Sequence, residues 1–350
     1  MSRDKARLGD DRGGQQPRER YNEVATRPRR SSPPPHRPPQ RRSVWPWLLI
    51  GCAGGIGILV LAAAIVVFVA IRGATGSSIL PVIGNPGTYT QQGPTKQVAL
   101  PQLTAIQVHD PIGNITISVD ANTTTPTVAY TKKVHAANND DANNQFKNIT
   151  VQVQPTGTGT LFVSASVPDS GSLLGNHNAS VDLNITLPEG SNTTTSTSAP
   201  TAPLALKLDM SIGNISVDGL SGNFQVKDDI GNITVRQAIL SDGSHLQTGT
   251  GNVTFNGKLD TTPGTNSTTV RYKLQSETGN VDATIPADTN VTLDANTNAG
   301  TITTDFPINI QSSAGSATYY GPLNPGSSQG ASQAVFSLNV STGNVYLHKA

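Results

Sequence analysis

The sequence has 350 residues, with 24 Lys and Arg against 23 Asp and Glu, so its net charge at pH 7 is +1. A nearly neutral chain lacks the basic excess typical of nucleic-acid-binding proteins, and we expect no nucleic-acid partner. The single cysteine, Cys52, excludes an intramolecular disulfide and a site built from several thiolates.

The first 43 residues carry most of the positive charge. They contain twelve Lys and Arg against five Asp and Glu, a net charge of +7, and they are rich in Arg and Pro. Such a segment cannot bury enough apolar surface to fold, so we predict a disordered basic cytoplasmic tail over 1–43. This tail could contact anionic lipid or a proline-recognising domain, or it could be only a solvated tail.

An uncharged apolar segment follows the tail. Leu48–Ile71 would form about 36 Å of helix, which exceeds the bilayer core of about 30 Å. We therefore predict one transmembrane α-helix over 44–72 in a lipid bilayer. Arginines crowd its N-terminal side, whereas only Arg72 follows it closely, so the positive-inside rule places the N-terminus in the cytoplasm and the C-terminal domain outside the cell.

This segment has two other interpretations, a cleaved signal peptide and a lipoprotein signal. A cleaved signal peptide would have a shorter apolar run and a shorter preceding region. The residues before Cys52 resemble a lipobox, but the apolar run continues past that cysteine, whereas a lipoprotein cysteine follows its apolar run. Gly51 and Gly55 form a GxxxG pair, which could mediate a homodimer between membrane helices.

The region outside the membrane begins with a segment rich in Gly, Ser, Pro and Gln, which predicts a flexible stalk over 73–101. Clean two-residue alternation of apolar side chains then predicts strands in the region 102–203, for example Val181–Leu187. Polar turns such as Asn138–Asn144 separate these strands, which favours an antiparallel sheet. No convincing helix is expected after Ile71, and Ala314–Ala334 is expected to be a protruding loop.

The remaining region, 204–350, repeats one motif, of which VKDDIGNITV at Val226–Val235 is typical. Its Gly-Asn pair predicts a corner between two short strands, because glycine adopts positive φ and Asn tolerates it. A spacing near 20 residues predicts an all-β ectodomain of β-solenoid or β-helix type, with the asparagines in a ladder of side-chain amides. An antiparallel sandwich with Gly-Asn hairpins is the alternative. The predicted structural turn residues are Gly113, Asn114, Gly213, Asn214, Gly231, Asn232, Gly251, Asn252, Gly279, Asn280, Gly343 and Asn344, and a looser copy has Gly300-Thr301.

Nothing in the sequence predicts a catalytic, cofactor or metal site. The six histidines are scattered, without the close spacing of a zinc site. Asp140-Asp141 and Asp228-Asp229 could bind Ca²⁺ weakly, but neighbours on a strand point to opposite faces, so solvated charge is the favoured interpretation. Polysaccharide lyases also use β-solenoids, but they need a groove with clustered charged residues, and the repeats hold few Lys and Arg.

The motifs also resemble a known family. The Gly-Asn turns, Leu187-Pro188-Glu189-Gly190, and Ile285-Pro286-Ala287-Asp288 followed by Leu293-Asp294-Ala295-Asn296 look like the bacterial putative-adhesin β-strand-repeat domain. This resemblance implies a cell-surface β-solenoid without catalytic residues. We therefore expect a single-pass cell-surface protein with a role in adhesion or envelope structure, whose partner is a surface glycan or protein. The alternative is an envelope-stress or ligand sensor that signals through the helix to the basic tail.

Overall fold

The computed structural model describes residues 87–100, 102–157, 159–168, 178–189, 203–262, 269–324 and 334–350. The predicted tail at 1–43, the predicted transmembrane helix at 44–72 and the Gly51/Gly55 pair therefore lie outside the described residues. No helix in these ranges is both long enough and apolar enough to cross a membrane. Gly76–Ala350 forms one compact unit.

The described part of the chain is all-β, as expected, with a single helix. The elements in chain order are β1 (Gly87–Gln92), β2 (Lys96–Gln97), β3 (Ala105–Asp120), β4 (Thr127–Ala136), α1 (Asn139–Asn148), β5 (Thr150–Thr156), β6 (Thr160–Ser166), β7 (Ala179–Pro188), β8 (Leu204–Asp218), β9 (Ser221–Ile230), β10 (Ile233–Leu240), β11 (Ser244–Thr250), β12 (Val253–Leu259), β13 (Val270–Thr278), β14 (Val281–Ile285), β15 (Thr292–Ala299), β16 (Ile302–Thr304), β17 (Gln311–Ser313), β18 (Ser316–Pro322), β19 (Ala334–Thr342) and β20 (Val345–Lys349).

The helix α1 contradicts the expectation of no helix and of a polar turn at Asn138–Asn144. The side chain of Asn138 accepts a hydrogen bond from the Asp141 backbone N–H at 2.9 Å, and the Asp141 carboxylate accepts from Ala137 N–H at 3.2 Å. These reciprocal bonds satisfy N-terminal donors as a capping box does. Ala142 and Phe146 are buried, so packing against the sheet stabilises a polar sequence that alone would favour a turn.

Each repeat forms one rung, which consists of a strand before the Gly-Asn pair and a strand after it. The strands before the pair lie side by side, in parallel, in the order β3, β8, β9, β11, β13, β19, β15; we call this the first face. The strands after the pair form the second face, in the order β3, β8, β10, β12, β14, β20, β16. Strands β3 and β8 are long enough to contribute to both faces.

The core lies between the two faces and follows from the two-residue alternation. In β10, Ile233 and Val235 are fully buried, while Thr234 between them is partly exposed. The parallel register brings Ile233 beside Ile215 on one side and beside Val253 on the other. Apolar side chains therefore pile into continuous columns, each buried one contributing about 1.5–3 kcal/mol relative to exposure.

The region 102–203 is not an antiparallel sheet throughout, as was expected. Strands β6 and β7 pair in parallel with the two halves of β3, on the side away from β8. Antiparallel pairing is found outside them, where β5 pairs with β6 and β4 pairs with β7. Strands β1 and β2 pair with β4, so the sheet begins inside the range 73–101 that was expected to be a stalk. That expectation is wrong for residues 87–97, whose backbone groups complete the edge of β4.

The other end of the stack also departs from the expected arrangement. Strand β18 lies within Ala314–Ala334, which was expected to be a protruding loop, and it pairs in antiparallel fashion with β15 and β17. Strands β19 and β20, the latest in the chain, lie between the rung of β13 and β14 and the rung of β15 and β16. Chain order and spatial order therefore differ at this end.

Candidate functional site: the Gly-Asn column and the first face

The seven glycines of the repeats line one column along the stack. The six that precede an Asn have φ between +132° and +153°, a region that favours glycine. Close approach imposes a second constraint, since a Cβ on Gly231 would collide with the backbone carbonyl oxygen of Gly213 in the next rung. The same collision, with the corresponding carbonyl, occurs at each of the other five and at Gly300. Glycine is therefore required both by its backbone conformation and by rung packing.

The asparagines that follow these glycines form a ladder of amides. The Oδ1 atom of Asn252 accepts from the backbone N–H of Asn280 at 2.8 Å and from its Nδ2 at 3.1 Å. The same pattern joins Asn344 to Asn280 and Asn232 to Asn214. Each asparagine thus bridges two rungs, and each such bond contributes about 0.5–1.5 kcal/mol.

The ladder ends in a different residue on each side. At one end Nδ2 of Asn114 donates to the Asp182 carboxylate at 2.9 Å, and Lys133 forms an ion pair with the same carboxylate. At the other end the N–H and hydroxyl of Thr301 both donate to Oδ1 of Asn344, at 3.0 and 2.9 Å. Threonine has no amide oxygen to offer to a further rung, so the ladder stops there.

A second polar column lies inside the core, three residues before five of the seven glycines; Met210 and Val340 occupy this position in the other two repeats. The hydroxyls of Thr248, Ser276 and Thr297 each donate to the backbone carbonyl of a glycine in the adjacent rung, at 2.7–2.9 Å. These hydrogen bonds satisfy carbonyls at the corner that the sheet ladder leaves open. Sequence reasoning missed this column, although small hydroxyl residues recur at this offset in several repeats.

Two rungs carry a carboxyl group in this same column, Asp110 and Asp228. Both are buried, with exposed fractions of 0% and 1%, so the expectation that Asp228 is a solvated charge is wrong. Asp229 does point outward and forms an ion pair with Lys227 at 3.0 Å, as alternation along a strand requires. Burial raises the pKa of Asp110 to about 8 and that of Asp228 to about 7, because desolvation disfavours the charged form.

The outer side of the first face is polar and regular. Four successive rungs present side-chain amides to solvent on this side. Each amide residue lies four positions before the glycine of its own repeat; the four are Gln247, Gln275, Asn339 and Asn296. We call this set the amide column. In its last two rungs Nδ2 of Asn296 donates to Oδ1 of Asn339 at 2.6 Å. The parallel register spaces these amides at about 4.8 Å.

The described residues offer no metal centre. No group of three or more His, Cys, Asp or Glu side chains within these ranges is placed to hold an ion. His348 lies beside the exposed Asp305 at 3.1 Å, and His109 lies 3.6 Å from Asp209. Asp140 and Asp141 lie in the first turn of α1, where carboxylates favour the positive end of the helix dipole.

Comparison with known proteins gives similarity to solved structures only. No family model matches the sequence, and no curated protein is significantly similar to it. A putative cell adhesion protein from Clostridium sporogenes is 12% identical, with a TM-score of 0.39 over 75% of this chain and 100% of that one. A putative adhesin from Bacteroides fragilis is 14% identical, with a TM-score of 0.27 over 77% and 100%. A putative lipid binding protein from Parabacteroides distasonis is 13% identical, with a TM-score of 0.23 over 75% and 98%.

Proposed function

We propose that this chain is a single-pass, membrane-anchored cell-surface protein whose β-solenoid domain serves adhesion or envelope structure without catalysis. The observation that carries the proposal is the amide column on an in-register parallel stack. Such a column offers donors and acceptors at a fixed repeat, which suits a repetitive ligand such as a surface glycan or an extended protein strand.

The solenoid interpretation is supported by the continuity of parallel pairing. From β3 to β16 every rung of both faces pairs in parallel with the next, and the motif glycines stay aligned along the stack. A sandwich built from Gly-Asn hairpins would instead join the two strands of each motif in antiparallel fashion. Membrane anchoring is supported by the apolar segment Leu48–Ile71 and by the arginines before it.

A binding assay on whole cells tests the adhesion function. Cells that display the full chain are compared with cells that display Gln247→Ala/Gln275→Ala, using a glycan array and host or partner cells as probes. The matched control, Thr234→Ala/Thr254→Ala, alters partly exposed polar side chains on the second face. We expect the first pair to weaken binding and the control to leave it unchanged. Equal binding by all three would contradict a role for the amide column.

Topology is tested separately. Protease added to intact cells should remove the region beyond Arg72 and spare an epitope placed before Arg42, because the arginines retain the N-terminus in the cytoplasm. Protection of the C-terminal region would reverse the orientation and with it the adhesion proposal.

The basic tail favours one second candidate, a sensor that relays external binding to the cytoplasm. The segment 1–43 carries a net charge of +7, which would attract an anionic cytoplasmic partner or anionic lipid. Deletion of part of this tail, with the arginines next to the membrane retained, distinguishes the two functions. An adhesin keeps its surface binding after the deletion, whereas a sensor keeps binding but loses its downstream response.

A further inference from the structure

The rung formed by β19 and β20 fills a slot that the rest of the stack leaves open. After β14 the chain passes through residues 286–291 to β15, which stands two strand positions away from β13. Strands β13 and β14 form one wall of this slot, and β15 and β16 form the other. Two strand positions correspond to about 9.6 Å, which leaves room for one inserted strand on each face.

Both walls pair with the strands of the inserted rung. Strand β19 pairs with β13 from Val270↔Ala334 to Thr278↔Thr342, and with β15 from Thr292↔Val335 to Ala299↔Thr342. Strand β20 likewise pairs with β14 and β16. No other parallel pairing within the described ranges connects β15 or β16 to the stack, so this rung also holds the last wall in place.

Side chains complete the fit. Phe336 is fully buried and meets the Tyr272 ring edge-on, with 6.5 Å between centroids. The backbone N–H of Asn344 donates to Oδ1 of Asn280, and Oδ1 of Asn344 accepts from the backbone N–H of Thr301. The side chain of Asn296 donates to that of Asn339. An empty slot would leave four strand edges unpaired, one each on β13, β14, β15 and β16, and would expose the apolar core between them, which is the condition that favours strand addition.

The strand pairings and hydrogen bonds that hold the inserted rung come from residues 270–306, which precede it in the chain. The slot therefore recognises the sequence of β19 and β20, whichever molecule supplies it. Strand β18 pairs with one edge of β15 and β19 with the other. The sequence between these two strands, 325–333, is rich in Gly, Ser and Gln.

We propose that β19 and β20 are exchanged between two copies of this chain, so that each copy fills the slot of the other and a strand-exchanged dimer forms. Exchange of an identical element needs no new interface, since each dimer half repeats the contacts of the monomer. Dimer formation depends on the local concentration of copies, which is high when both are held at one surface. Exchange of these strands does not require the ligand proposed above.

Site-directed disulfides test the exchange. Two tagged full-length copies are co-expressed in a Cys52→Ser background, one with Asn296→Cys and the other with Asn339→Cys. These two residues are Cα partners across β15 and β19, within the separation that a disulfide requires. Exchange predicts an oxidised heterodimer of twice the monomer mass. A chain that carries both substitutions must cross-link, within one copy or between two exchanged copies, which verifies the geometry.

The control replaces Asn296→Cys with Thr234→Cys, which lies on the second face three rungs from β20. The proposal is overturned if the Asn296→Cys and Asn339→Cys chains form no more heterodimer than the control pair does, while the double variant cross-links within one chain.

Discussion

The Asp228 carboxyl lies beside the backbone carbonyl of Gly213: its Oδ2 and that carbonyl oxygen both fall within 2.5 Å of the point where a Cβ on Gly231 would stand. Ser276 places its hydroxyl near the corresponding point of Gly279 and donates to Gly251 O at 2.7 Å. Asp228 thus occupies the place of a hydroxyl donor, and only a protonated carboxyl can donate there.

The first prediction concerns the pH dependence of stability. The pKa values of Asp110 and Asp228 are about 8 and 7 in the folded protein, above the ordinary value of 3.8. A raised pKa of a carboxyl stabilises the fold fully below about pH 4, and this stability is lost as the pH rises through the folded pKa. The free energy of unfolding of residues 76–350 should therefore decrease between pH 4 and pH 8, by up to about 1.4 kcal/mol per pH unit for each carboxyl.

Denaturant unfolding at several pH values measures this slope. The double variant Asp110→Asn/Asp228→Asn should flatten it, because neither side chain then titrates. Asp229→Asn is the control, since that carboxylate is exposed and paired with Lys227. The groups that face Asp228 from the adjacent strands are Met210 and Thr248, which are uncharged, so the neighbouring rungs do not compete with this effect. A slope unchanged in the double variant would contradict the assignment.

A second prediction concerns the side chain at position 228 in the buried polar column. Asp228→Thr places a hydroxyl where Thr248 has one in the next rung, so it can donate to Gly213 O without a buried charge. We expect the variant to be more stable than the parent at pH 8 by about 1–3 kcal/mol, and the gain to shrink toward pH 4. Asp228→Val is the matched control, because it removes the charge and cannot donate. Equal stability of the Thr and Val variants would show that the hydrogen bond contributes nothing.

The repeat spacing predicts which residues occupy equivalent positions in successive rungs, because parallel stacking keeps identical offsets from the glycine aligned. It could not predict the position of β19 and β20, since all copies share one motif and any rung can pair with any other. The helix α1 was missed because its sequence is mostly Asn and Asp, although Asn138 and Asp141 have the spacing of a capping box. The burial of Asp228 follows from strand alternation, but a carboxyl in the core runs against its usual preference.

The glycine column gives a third prediction. Gly231 has φ +153°, and its Cβ would collide with Gly213 O, so Gly231→Ala should cost at least about 3 kcal/mol even though alanine is small. Gly157→Ala is the matched control: Gly157 also has positive φ, at +64°, but nothing lies within 4 Å of its Cβ position. Its cost should be only about 1–2 kcal/mol. Denaturant unfolding of residues 76–350 measures both losses of stability. A similar decrease in the free energy of unfolding for the two variants would mean that close rung packing does not constrain Gly231.

The last prediction compares three consecutive residues, Asn232, Ile233 and Thr234, of which the last two belong to β10. Ile233 is fully buried between Ile215 and Val253, so Ile233→Ala opens a cavity in the apolar column and should cost about 2–5 kcal/mol. Thr234 points to the outer side of the second face, and Thr234→Ser should change stability by less than about 0.5 kcal/mol. Asn232→Ala should fall between them, because it removes the ladder bond to Asn214 at 3.0 Å while leaving the core intact. Denaturant unfolding of the three variants ranks them directly. A tolerated Ile233→Ala together with a damaging Thr234→Ser would reverse the two sides of this strand and contradict the stacked-rung arrangement.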